Sequence, residues 1–223
     1  MLTEPLAANF NAYANAARSA PVGENALKRV VDTGLLLCAL PPALGGAGES
    51  LDVLAERARF MRENDATAAE VLWAQRLAIE ALVRSPNVGL RELWLPDLLS
   101  GLRAGTVALN GPPLKGHDKG RGWLLTGRLK DVANLAWEGF SLVAPIRLGD
   151  GPPGWALLRS EEDGLSVESL LATAGQGPSN GLSTLSIQGV FFREDEWLGG
   201  PELQMHLTPV ARALSGAQPH SST

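Results

Sequence analysis

The order of apolar and polar positions changes character near residue 104. Before that point apolar residues recur at intervals of three and four, the period of a helix with one buried face. The pattern predicts a helix over 24–31 with Leu27, Val30 and Val31 on one side, and another over 51–63 with Leu51, Leu54, Ala55 and Ala58. Thr67-Ala-Ala-Glu70 has the form of a capping box, and the long helix it opens carries Val71, Leu72, Leu77, Ile79 and Leu82 before Pro86 closes it. A short helix with Leu90, Leu93 and Trp94 follows, then a further helix that begins at Pro96 and ends at Gly105. From Thr106 onward the runs shorten and fill with β-branched and bulky apolar residues. Strands are predicted over 106–109, 123–126, 141–146, 155–158, 165–167, 182–187 and 190–192, parted by turn-rich stretches such as Gly149-Asp-Gly-Pro-Pro153 and Gly175-Gln-Gly-Pro-Ser-Asn-Gly181. A last helical spacing covers 203–214.

The expected fold class is therefore α+β. An N-terminal all-helical domain over 1–104 precedes a small antiparallel β-barrel-like domain over 105–199 and a short helical tail over 200–223.

Composition narrows the chemistry. With 45% apolar and 19% charged residues the chain is globular, and its net charge of −5 offers no basic footprint for nucleic acid. No apolar run reaches the length of a membrane span, and MLTEPLAANF has neither the basic nor the apolar region of a signal peptide. Cys38 is the single cysteine, so a cytoplasmic setting is expected and the thiol is read as a small buried hydrophobe. His117, His206 and His220 are too scattered for a metal set. His117 and Asp118 are adjacent, and in an extended segment neighbouring side chains point to opposite faces rather than to each other. Glu138, Glu161 and Glu168 are read as solvated carboxylates, the six tryptophans as packing residues, and Gly45-Gly-Ala-Gly48 as a turn between helices that needs no ligand. Ser179 and Ser183 lack the Gly-x-Ser-x-Gly frame of a hydrolase nucleophile.

Several short motifs, in order, carry a resemblance. Gly34-Leu-Leu-Leu-Cys-Ala-Leu-Pro-Pro-Ala-Leu-Gly-Gly-Ala-Gly48, Leu95-Pro96 with Gly101, Ala108-Leu-Asn-Gly-Pro112, Gly116-His-Asp118, Gly122-Trp-Leu-Leu-Thr-Gly127 and the Leu-Gly that ends at Gly199 follow one another at the spacing of acyl-CoA dehydrogenases. Over roughly residues 25 to 200 the chain resembles the helical and middle β domains of that family.

That resemblance implies a site for FAD and an acyl-CoA-type small molecule, with a flavin that accepts hydrogen from a thioester substrate and a carboxylate that removes the α proton. It places the cofactor contacts at Leu109, Asn110, His117 and Ala133. Three departures stand out. Asn110 occupies the position of a flavin-bonding threonine, and an amide can still donate and accept. Asp131 stands where the family has an aromatic ring against the flavin, and Ala133 where it has a hydroxyl. Residues 200–223 leave room for one helix, so the family's third domain, which carries the base and the oligomer contacts, is expected to be missing. The resemblance thus implies a weakened FAD site, no catalytic residue of its own, and a homo-oligomer or companion subunit, with the stripe Leu203, Met205, Leu207, Val210 and Leu214 available to cover exposed surface. The alternative is a non-catalytic binding or assembly protein on the same scaffold; a truncated product with a tolerated open surface is the third reading.

Overall fold

The structure is a computed structural model that describes residues 4–16, 25–135, 139–168 and 182–216. Six helices and eight strands lie among them. The helices are α1 (Glu4–Ala16), α2 (Ala26–Asp32), α3 (Leu51–Asn64), α4 (Ala66–Arg84), α5 (Val88–Ser100) and α6 (Glu202–Ser215). The strands are β1 (Ala104–Val107), β2 (Leu114–Asp118), β3 (Trp123–Val132), β4 (Phe140–Leu148), β5 (Pro153–Arg159), β6 (Leu165–Glu168), β7 (Ser183–Phe192) and β8 (Trp197–Gly199). The stretch 175–181, Glu138, Ser179 and His220 lie outside the described residues.

Helices α2, α3, α4 and α5 each start where a side chain satisfies free N–H groups. Asn25 accepts from Leu27 N and Lys28 N, Ser50 from Val53 N, and Asn87 from Leu90 N. The long helix α4 opens at Asp65, whose carboxylate accepts from Ala68 N, rather than at the expected Thr67 box. Asp65 prevails because it also anchors Arg29 of α2, at 2.9 and 3.1 Å, so one carboxylate ties two helices. The two helices expected on either side of Pro96 are one. Pro96 sits on the solvent side of α5 while Leu95 and Leu98 are buried, so packing carries the helix through the lost backbone bond. Its stop is Gly101 in the left-handed conformation, φ 73°, whereas Gly105 lies inside β1.

Helix α4 is the spine. It packs on α2, α3, α5, α6, β1 and β4. Loop 38–50 folds tightly against α4's neighbours; a Cβ on Gly46 would lie 2.1 Å from the Leu40 carbonyl oxygen, so no larger residue fits. Cys38 is wholly buried, and its thiol is pushed up to about 11, first by burial and then by Glu49. That is the inert packing role expected of it. Helix α6 returns to the helical layer and buries Leu203, Leu207, Val210 and Leu214 against α3 and α4. Four residues of the expected covering stripe are thus used within the chain, and Met205 alone points outward.

The strands form one sheet in the order β6-β7-β3-β2-β4-β5-β8, with β1 also on β4. This revises the expected antiparallel barrel. The sheet is mixed, because β1 and β2 both run parallel to β4, and its path is open, ending at β6 and β8. The short strand β2 fell in what the sequence suggested was loop. Its pattern of one buried and one exposed residue in turn is visible only at Leu114, Lys115 and Gly116. No helix among the described residues is long and apolar enough to cross a membrane.

Candidate functional site

Strands β1 and β2 share one edge of β4, end to end, and the chain between them leaves the sheet. Val107 pairs with Val143 and Leu114 with Ile146, so six residues of the crossing segment stand against two of β4. The surplus forms an outward loop over 108–113. Its last ladder bond is Ala108 N to Val143 O at 3.0 Å, and Pro112 and Pro113 have no N–H with which to extend the pairing. Leu109 is half-buried and Asn110 exposed. Gly111 leans on β3, where a Cβ would lie 3.2 Å from Leu129 Cδ2.

The facing wall comes from a bulge in β3. Leu129 pairs with Leu185 and Val132 with Ser183, so two residues, Lys130 and Asp131, stand against one, Thr184. Leu129 and Val132 are both in the core, so the extra residue lets Lys130 and Asp131 both turn outward. Asp131 takes the left-handed conformation, φ 57°, one of the few non-glycine residues here to do so. Aspartate tolerates that region better than a bulky ring does.

Loop and bulge enclose a cleft of about 440 Å³, lined by Val107, Ala108, Leu109, Asn110, Gly111 and Pro112 on one side and Arg128, Lys130 and Asp131 on the other, with Trp73 of α4. Arg128 is paired with Glu168. The lining therefore offers apolar surface, one aromatic ring, one amide, two cations and one carboxylate. Such a mixture suits a ligand with a flat ring and an anionic portion. Asp131 opposes an anion, but it is exposed and shares the wall with two cations, so solvent and neighbours offset much of its repulsion.

A buried polar network holds this frame. Gln75 Oε1 accepts from Gly105 N at 2.6 Å and from Asn134 Nδ2 at 2.7 Å, while Gln75 Nε2 donates to Leu98 O at 2.7 Å. Asn134 Nδ2 also donates to Gly105 O at 2.8 Å. One amide pair thus fixes α4, α5, β1 and the end of β3 relative to one another. Arg103 adds a strap: its guanidinium grips Glu161 at 2.9 and 2.8 Å, donates to Ser141 and Phe140, and lies over Trp94. The Arg103 hydrogen bonds hold the Glu161 carboxyl down at about 2, so Glu161 is a poor base.

Of the expected cofactor contacts, Leu109 and Asn110 line the cleft. His117 lies exposed on β2 opposite Leu124, and Ala133 is buried just past β3; neither is among the lining residues. Asp118 accepts from Gly120 N at 2.6 Å and stabilises a turn. Trp73, Arg128 and Lys130 escaped the sequence reading. For the last two a signal existed: Leu129 and Val132, both apolar, are three apart, which a regular strand cannot bury on one face. Among the described residues no group of three His, Cys, Asp or Glu side chains could hold a metal ion.

No protein-family model matches the chain. It is 29% identical over 189 residues to acyl-CoA dehydrogenase FadE27 of Mycobacterium tuberculosis, a match over 81% of this chain and 48% of that protein. The chain thus spans about half the length of the curated relative it matches. The crystal structure of the ChsE4-ChsE5 complex from Mycobacterium tuberculosis superposes with a TM-score of 0.71 at 21% identity, covering 96% of this chain and 63% of that one. A glutaryl-CoA dehydrogenase from Mycobacterium smegmatis in complex with FADH2 superposes with a TM-score of 0.75 at 16% identity, over 95% and 60%. The chain is thus similar in sequence to an acyl-CoA dehydrogenase and shares the fold of these solved structures, in agreement with the motifs and their order.

Proposed function

We propose that this chain is a flavin-binding component of an acyl-CoA dehydrogenase-type oxidoreductase and works with a companion chain rather than alone. The observation that carries this is the cleft at the β1–β2 loop, where Asn110 meets an aromatic ring, two cations and apolar backbone in a space of about 440 Å³. In size and donor set it fits the ring of FAD, which when bound would accept the hydrogen taken from a thioester. Leu109 and Asn110 would hold the polar edge of the ring, and Lys130 and Arg128 would face the phosphates. His117 and Ala133, placed at the cofactor by resemblance alone, lie outside the lining residues and are proposed only as neighbours of the site.

Among the described residues the cleft supplies no proton-abstracting carboxylate. Asp131 is the one acid lining it and is exposed, while Glu161 and Glu168 are committed to Arg103 and Arg128. A second chain would bring that group, and the ChsE4-ChsE5 complex, a solved structure of the same fold, supports such an arrangement. An acyl-CoA-type substrate and association as a homo-oligomer or with a companion subunit belong to the same proposal. Cellular placement in the cytoplasm is part of it too.

Titration with FAD tests the reading. Binding at 100 times the dissociation constant adds about 2.7 kcal/mol, which for a chain of this size raises the melting temperature by roughly 5–10 °C. A yellow complex with that shift, and no thioester oxidation until a companion chain is added, is the expected result. Colourless protein with an unmoved melting temperature would instead favour a non-catalytic scaffold, the reading that Asp131 in the cleft wall supports.

A further inference from the structure

Trp73 is the residue in the buried run of α4 that the core covers only in part. From Val71 to Leu82 the other residues of the helix are all buried, and Trp73 alone reaches a free surface. That surface is the cleft. Its indole N–H makes no hydrogen bond and its ring no aromatic or cation contact among the described residues. A large apolar ring left half-covered forgoes much of the stabilisation it could contribute. An uncommitted ring at the margin of an otherwise sealed helix is the arrangement of a stacking platform.

The opposite wall sharpens this. The family resemblance calls for an aromatic ring at residue 131, but the bulge there sets φ at 57°, a conformation an aromatic side chain adopts only at a cost. Aspartate fits that backbone and a ring does not. The cleft nevertheless has an aromatic face, supplied from the helix instead of the strand.

We infer that Trp73 is a specificity-determining residue of the cleft, its indole stacking on the flat ring of a bound flavin in place of the aromatic that β3 has lost. This rests on the flavin reading above and goes further by naming the face on which the ring is held. The ring, not the phosphates, is what Trp73 recognises; Lys130 and Arg128 serve the anionic part from the other wall.

Three ligands and three variants decide it, with binding read by flavin fluorescence or calorimetry. FAD, riboflavin and ADP separate stacking on the flavin from stacking on adenine. W73A should weaken FAD and riboflavin about 5- to 150-fold alike, the range for losing one aromatic stacking partner, and leave ADP unchanged. W73F should retain FAD within a few-fold while the quenching of bound flavin by the indole is lost. W73L, which keeps apolar bulk without a ring, should weaken FAD as W73A does, so that a poorly folding alanine variant does not end the test. If the wild type binds FAD and neither W73A nor W73L binds it less well, the inference falls while the flavin reading stands. If ADP weakens in step with FAD and riboflavin does not bind, adenine is the stacked ring and the inference is overturned. Wild-type protein that takes up neither flavin sinks both.

Discussion

The side chains of α4 fall into a sealed set and an open one. Gln75, Arg76 and Glu80 are all buried, and each has a partner within the chain, although Arg76 Nε makes no hydrogen bond. Arg76 donates to Glu80 at 2.9 Å and to the Ala39 carbonyl, while Glu80 also accepts from Arg84 at 2.8 Å. Trp73, three and seven residues from Arg76 and Glu80, instead lines an open cleft with Asn110, Lys130 and Asp131. Polar groups sealed inside a fold stabilise it only when every partner is present, whereas groups left open at a cleft are available to something else. The contrast locates rigidity and recognition on one helix.

The sealed set should be easiest to break at its buried charge. Burial makes the Arg76 guanidinium less basic than usual, and Glu80 is the group that offsets this. Glu80→Ala strands the cation at a site with no solvent, which costs about 3–5 kcal/mol. Roughly 2–4 °C of melting temperature accompany each kcal/mol in a chain of this length. A loss below 1 kcal/mol in urea titration would mean that water reaches Arg76 and that the set is not sealed.

The neutral amide pair is the next test, and it reports on the frame of the cleft itself. Asn134→Ala removes two donors, to Gln75 Oε1 and to Gly105 O, from a half-buried site. It also places alanine at φ 59°. The expected loss is about 2–3 kcal/mol, the sum of unsatisfied acceptors and backbone strain. Asn134→Gly separates the two, since glycine tolerates the conformation; it should lose about 1–2 kcal/mol. A glycine variant as stable as the wild type, beside a destabilised alanine variant, would show that backbone strain and not the amide accounts for the loss.

The sealed set and the open one also differed in how far the sequence disclosed them. Helix α4 was legible because Leu72, Leu77, Ile79 and Leu82 recur with helical period, yet nothing in that period shows that Arg76 and Glu80 are buried among them. A polar residue on an apolar face reads the same whether it is solvated or paired. The cleft was legible through motif order, which put Leu109 and Asn110 where the structure brings a cleft together. Trp73 was not, because a tryptophan in an apolar helix reads as core. The open, mixed sheet escaped as well: parallel pairing of β1 and β2 on β4 is a long-range fact, and short alternating runs look alike whichever way they pair. The same holds for Asp65, preferred to Thr67 as a cap because of Arg29, a partner 36 residues away.

The smallest expected effect lies at the half-exposed ion pair, and its form distinguishes it from the buried one. Arg103 and Glu161 make a bidentate contact of the same chemistry as Arg76 and Glu80, but the Glu161 side chain is 56% exposed. Solvent screening limits such a pair to about 1 kcal/mol or less. The carboxyl is held down at about 2 from an ordinary 4.5, so the folded state binds its proton more weakly than the unfolded one. Stability from this group is therefore fully present above pH 4.5 and fades as pH falls toward 2. Glu161→Gln should cost up to about 1 kcal/mol near neutrality, and its melting curve should converge on that of the wild type by roughly pH 2. High salt should shrink the difference at neutral pH, because an exposed pair is screened where a buried one is not. If the gap between the two proteins persisted at low pH or in 1 M salt, with the Debye length near 3 Å, Arg103 and Glu161 would act as a packed hydrogen-bonded unit. The pair would then belong with the sealed interior of α4 rather than with its open margin.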